Sequence, residues 1–96
     1  MTDELYELVI TSTALRALGA AQPRGVGERV AWAVHEFVRG PLLIQPHRVG
    51  KPLTPPLDGT LSARRGSFRV LYEIDEEART VTVTAVQHRA DVYRPR

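Results

Sequence analysis

The segment SARRGSFRVLYEID, residues 62–75, sets Arg64, Arg65 and Arg69 at the mouth of a stretch that otherwise reads as a buried strand. A guanidinium stays charged at any working pH and offers its N–H groups as a planar fork that matches phosphate oxygens. A converging set of arginines therefore suits a phosphodiester, the alternative being ordinary charges at a strand edge. Phe68, Val70, Tyr72 and Ile74 alternate with Arg69, Leu71 and Glu73. If the first set faces the core, period two puts Arg69 on the opposite, exposed face of the sheet, where it can meet a ligand. Arg64 and Arg65 flank the turn RRGS, in which Gly66 is free to take a positive φ, and at least one of them is expected near the start of Arg69's strand.

A second set follows the last strand. The tail VQHRADVYRPR supplies His88, Arg89, Tyr93, Arg94 and Arg96. Histidine is the side chain best placed to exchange protons near neutrality. A tyrosine in such a tail either stacks on a base, as aromatics do with single-stranded RNA, or covers the sheet edge. Upstream, Arg48 and Lys51 extend the same charge. From Arg48 to Arg69 there are five basic residues and one acidic residue, Asp58, while most acids lie near the N-terminus and in EIDEE. The net charge of +2 is small, so it is this local patch that points to phosphates.

Other chemistries lack their residues. His35, His47 and His88 have no metal-ligand spacing, and there is no glycine-rich phosphate loop. Ser12, Ser62 and Ser67 have no nucleophile-elbow context, and the chain has no cysteine. Neither a metal nor a cofactor is indicated. Absent cysteines are compatible with a reducing compartment, and neither a signal-peptide core nor a run of roughly 20 apolar residues is present, so the cytoplasm is the expected location.

These side chains need a scaffold. At 96 residues, with 43% hydrophobic and 25% charged residues, the chain is expected to form one globular domain over residues 1–96. LYELVIT (5–11) reads as a strand, and Thr11, Ser12 or Thr13 can cap a short helix through ALRALGA that ends near Gly19. From Val26 the apolar positions Val26, Val30, Ala33, Val34, Phe37 and Val38 recur at helical spacing, which predicts a longer helix ending at Gly40-Pro41. Trp32 and Phe37 on that helix read as core or partner-facing. Five prolines between Pro41 and Pro56 then forbid a long helix or a central strand. A strand is expected near residues 59–65, followed by the Phe68–Ile74 strand and the alternating TVTVTAVQH. The expected class is α+β, with two N-terminal helices packed on one face of a small, mostly antiparallel four-stranded sheet in the order β-α-α-β-β-β.

That order, with L-x-G (57–59), R-x-G-x-F-R-V-x-Y-x-I-D (Arg64 to Asp75) and HRADVY (His88 to Tyr93), resembles the RelE/ParE superfamily of bacterial toxin-antitoxin toxins, in particular its RelE side. The likeness is most specific from Leu57 to Arg94, about two fifths of the chain. It implies a RelE-like fold and a toxin that cuts mRNA in the ribosomal A site, neutralised by a cognate antitoxin. Carried over residue by residue, it implies catalytic roles for Arg64, Arg69, Arg89 and Tyr93, with His88 beside them; the basic patch adds Arg65, Lys51 and Arg48 as expected substrate contacts. Some relatives carry lysines where this chain has Thr60 and Ser62, which leaves the general base open. Two other readings share the fold: a ParE-like inhibitor of DNA gyrase, and a binding module without catalysis.

Overall fold

The Thr/Val alternation near the C-terminus builds the longest strand, and it lies inside the sheet. The computed structural model describes residues 5–19, 28–53 and 59–88. The elements are β1 (Glu7–Ile10), α1 (Ser12–Gly19), α2 (Glu28–Arg39), α3 (Pro41–Ile44), β2 (Lys51–Pro52), β3 (Leu61–Arg65), β4 (Phe68–Asp75) and β5 (Thr80–His88). One sheet runs β1-β5-β4-β3-β2, with β1 parallel to β5 and the other neighbours antiparallel.

Thr11 joins strand to helix. Its N–H donates to the Val83 carbonyl at 3.0 Å, and its hydroxyl oxygen accepts the Ala14 N–H at 3.2 Å, satisfying one of the free donors of the first turn of α1. α1 and α2 lie on one sheet face and bury Ala14, Val34, Phe37 and Val38 against Val70, Tyr72, Val81 and Val83. Burying a side chain such as Phe37 or Val34 contributes about 1.5–3 kcal/mol. Phe37 meets Phe68 with ring centroids 6.4 Å apart and an interplanar angle of 58°. Trp32, by contrast, is 66% exposed.

Two elements exceed the expected four strands and two helices. Pro41 starts a single helical turn, α3, because a missing N–H is tolerated at the first helical position. That turn buries Leu42 and is tied to the start of β1 by the Tyr6 N–H donating to the Leu43 carbonyl at 3.1 Å. β2 adds a two-residue edge, Lys51 opposite Ser62 and Pro52 opposite Leu61, and an edge is where a strand tolerates proline. The fold class is as expected; the sheet has five strands. Among the described residues no helix is long and apolar enough to cross a membrane.

Tyr72 fixes the loop before β2. It is fully buried, and its hydroxyl donates to the Pro46 carbonyl. Burial pushes the phenol up to about 12, opposed by the Arg65 charge. Gly50 packs so closely on this ring that a Cβ there would run into the Tyr72 hydroxyl.

One irregularity decides which side chains face solvent. Pairing steps from Leu71 opposite Ala85 to Tyr72 opposite Val83, so Thr84 is an extra residue in β5. Its hydroxyl donates to the Leu71 carbonyl at 3.3 Å. The bulge lets Val81 and Val83 on one side of it and Val86 on the other all point into the core, and it turns Ala85 and Gln87 outward.

Candidate functional site

β3 and β4 form a hairpin whose turn is Gly66-Ser67, and Gly66 adopts φ 54°, which its missing Cβ permits. The register sets Arg64 opposite Arg69 and Arg65 opposite Phe68. Ala63 and Phe68 are buried, so period two sends Arg65 to the helix side and Arg64 to the open face. Arg65 lies with its Cζ 4.8 Å from the Phe37 ring centroid. There it borders, with Arg29, Val30, Pro41 and Phe68, a largely apolar groove of about 570 Å³. The two adjacent arginines are thus divided between the two faces of the sheet.

On the open face, Arg64, Arg69 and Gln87 are consecutive partners across β3, β4 and β5. Directly opposed side chains have Cβ atoms about 4.5–5.5 Å apart, and like charges at that separation are destabilising. The next row is Lys51, Ser62, Leu71 and Ala85. β2 thus brings an ammonium opposite Ser62, one of two hydroxyl residues in or just before β3. The other, Thr60, donates a hydrogen bond to Glu73 at 3.5 Å. Arg69 is half-buried, and among the described residues its buried Nε has no hydrogen-bond partner. A buried donor left unmade costs about 1–3 kcal/mol, more for a charged group.

Arg48 is exposed in the turn after α3, its N–H donating to the Gln45 carbonyl at 3.0 Å. His88 is the last residue of β5, paired with Phe68. Arg89 and Tyr93 lie outside the described residues. Gln87 has no charge and stands one residue before the HRADVY motif, so residue type did not single it out.

The opposite end of the sheet is acidic. Glu73, Asp75, Glu76 and Glu77 border a depression of about 610 Å³. Glu76 pairs with the His47 ring, accepts the Tyr6 hydroxyl at 2.8 Å and has the Arg79 guanidinium at 3.6 Å. The hydrogen bonds from His47 and then Tyr6 hold the Glu76 carboxyl below its ordinary range, and the same contact with Glu76 raises the Tyr6 phenol. Arg79 also lies with its Cζ 4.1 Å from the Tyr6 ring centroid. His47 is therefore a tether between the loop and the β4–β5 turn. Among the described residues no three His, Asp or Glu side chains group as metal ligands.

Comparison with known proteins adds to this geometry. A family model described as the ParE toxin of the type II toxin-antitoxin system parDE matches residues 9–93. The toxin RelG of Mycobacterium tuberculosis is 49% identical over 89 residues, which span 93% of this chain and 97% of that protein. The toxin RelE of the same organism is 45% identical over 92 residues, 96% of this chain and 90% of that protein. The crystal structure of the toxin-antitoxin complex RelBE2 from M. tuberculosis superposes with a TM-score of 0.79 at 47% identity, covering 88% of this chain and 99% of the matched one.

Proposed function

The chain belongs to the ParE toxin family of type II toxin-antitoxin systems, and we propose that it acts as its RelE-named relatives suggest: a ribosome-dependent endoribonuclease that cleaves mRNA in the A site. A cognate antitoxin restrains it, as the complex formed by the RelBE2 relative suggests. The observation that carries this reading is the Arg64–Arg69 pair on the open sheet face, with Lys51 one row away.

Cleavage of RNA by its own 2′-OH needs the attacking oxygen, phosphorus and leaving 5′-oxygen in line, charge stabilisation as the phosphorane forms, and proton transfer at both ends. Arg69 and Arg64 clamp the scissile phosphate. Lys51, one row away, adds positive charge where β3 itself offers Ser62. Arg89 supports the leaving oxygen, and Tyr93 or His88 stacks on a base or moves a proton. Arg48 contributes charge at the rim. Arg65, held over Phe37, acts on the other side of the hairpin and supports the site through packing.

In an assay of programmed ribosomes with primer extension, the wild type produces codon-phased cuts and folded Arg69→Ala cuts the same sites about 100- to 1,000-fold more slowly. Full activity in folded Arg69→Ala would overturn these roles. The family model's ParE description favours a second reading, a toxin that binds DNA gyrase. Arrest of replication before translation in cells, with no cleavage on ribosomes, would select it.

A further inference from the structure

The β5 bulge has a consequence for the site. Strict alternation from Val81 and Val83 would put residues 85 and 87 inward with them. The extra Thr84 reverses this and sets Gln87 on the open face, directly opposite Arg69, in the row that begins at Arg64. Bulges beside functional sites commonly re-aim one side chain in this way. Gln87 is half-buried, and its outward neighbours along β5 are Ala85 and Thr82, neither of which carries an amide.

We propose that Gln87 is a specificity-determining residue that hydrogen-bonds the base edge of a nucleotide whose phosphate Arg64 and Arg69 hold. This rests on the RNA-cleaving reading above. The chemistry follows from the row's composition. A guanidinium only donates and favours phosphate. An amide carries both a donor and an acceptor, carries no charge, and matches the mixed edge of a base such as adenine. Neighbouring strands lie about 4.8 Å apart, so the amide sits within one strand spacing of the phosphate clamp, near enough to meet a base of the same or the adjoining nucleotide.

Cleavage sites of the wild type, Gln87→Ala and Gln87→Glu are mapped on ribosomes programmed with mRNA offering varied A-site codons, and binding of a labelled single-stranded RNA is measured across a salt series. The expected result for Gln87→Ala is a redistribution of cuts among codons, with cleavage at the preferred ones falling roughly 5- to 100-fold. Its salt slope stays at the wild-type value because no phosphate contact is lost, whereas Arg69→Ala reduces the slope by about 0.7. Gln87→Glu keeps the shape, replaces the donor by an acceptor and adds a negative charge opposite Arg69, so it lowers cleavage at every codon as well as changing their order. A merely structural role would lower activity at all codons in parallel with the unfolding temperature. An unchanged codon pattern in folded Gln87→Ala, or a salt slope reduced as in Arg69→Ala, overturns the proposal while leaving the nuclease reading intact. A wild type that cuts no RNA on ribosomes overturns that reading itself, and the proposal with it.

Discussion

The two ends of this sheet handle charge in opposite ways. At the β4–β5 turn, Glu76 is met by His47, Tyr6 and Arg79, so the acidic end settles its main carboxylate within the fold. At the β3–β4 hairpin, Arg64 stands directly opposite Arg69, and the Arg69 Nε is buried without an acceptor among the described residues. The acidic end thus ties elements of the fold together, whereas on the proposed reading the basic end takes its anion from outside.

Experiments can break this contrast, and the strongest acts on the basic end. Removing the Arg69 guanidinium should lower ribosome-dependent cleavage about 100- to 1,000-fold, the usual loss for one preorganised donor, measured as single-turnover rates. Next comes the scaffold between the two ends. Gly50→Ala forces a methyl against the Tyr72 hydroxyl and should lower stability by about 1–3 kcal/mol in denaturant unfolding; an unchanged midpoint would show that Tyr72 does not fix the loop that delivers Lys51.

Tyr72 also predicts an alkaline limit. Its phenol is raised from 10.0 to about 12, so the folded state holds the proton more tightly. The associated stability is complete below the ordinary tyrosine range and is lost as pH climbs through about 12. Tyrosinate absorbance and circular dichroism should therefore show this group ionising together with unfolding; ionisation in an intact fold would contradict it. The smallest effect belongs to the acidic end. The Glu76 carboxyl is depressed, so its contribution is present above the ordinary carboxylate range and lost as pH falls through the folded value. Glu76→Gln should lower the unfolding temperature slightly near neutrality, converge with the wild type in acid, and leave cleavage unchanged. Impaired cleavage in a stable Glu76→Gln would erase the division between the two ends.

Much of the scaffold was legible in the sequence because each signal was local. Thr11 caps α1 through its own side chain, and the alternation from Phe68 to Ile74 puts Arg69 on the open face without knowledge of any partner strand. The opposite destinations of Arg64 and Arg65 required knowing that Ala63 is the buried residue of β3, which only pairing with Val70 reveals. Gln87 was illegible for a deeper reason: uninterrupted alternation from Val81 puts it on the wrong face, and the bulge that corrects this depends on how β4 and β5 meet. β2 and α3 escaped notice because two paired residues and one helical turn leave no period to detect. His47 found Glu76 through a contact that no spacing encodes.

The central proposal, that the opposed arginines of the basic end serve an external anion, is tested most directly by measuring cleavage and unfolding on one preparation of Arg69→Met. Replacing the guanidinium by an apolar chain of similar length removes both the like-charge opposition and the orphaned donor. The account predicts a protein at least as stable as the wild type that no longer cuts mRNA on ribosomes. A destabilised protein that still cuts would contradict it.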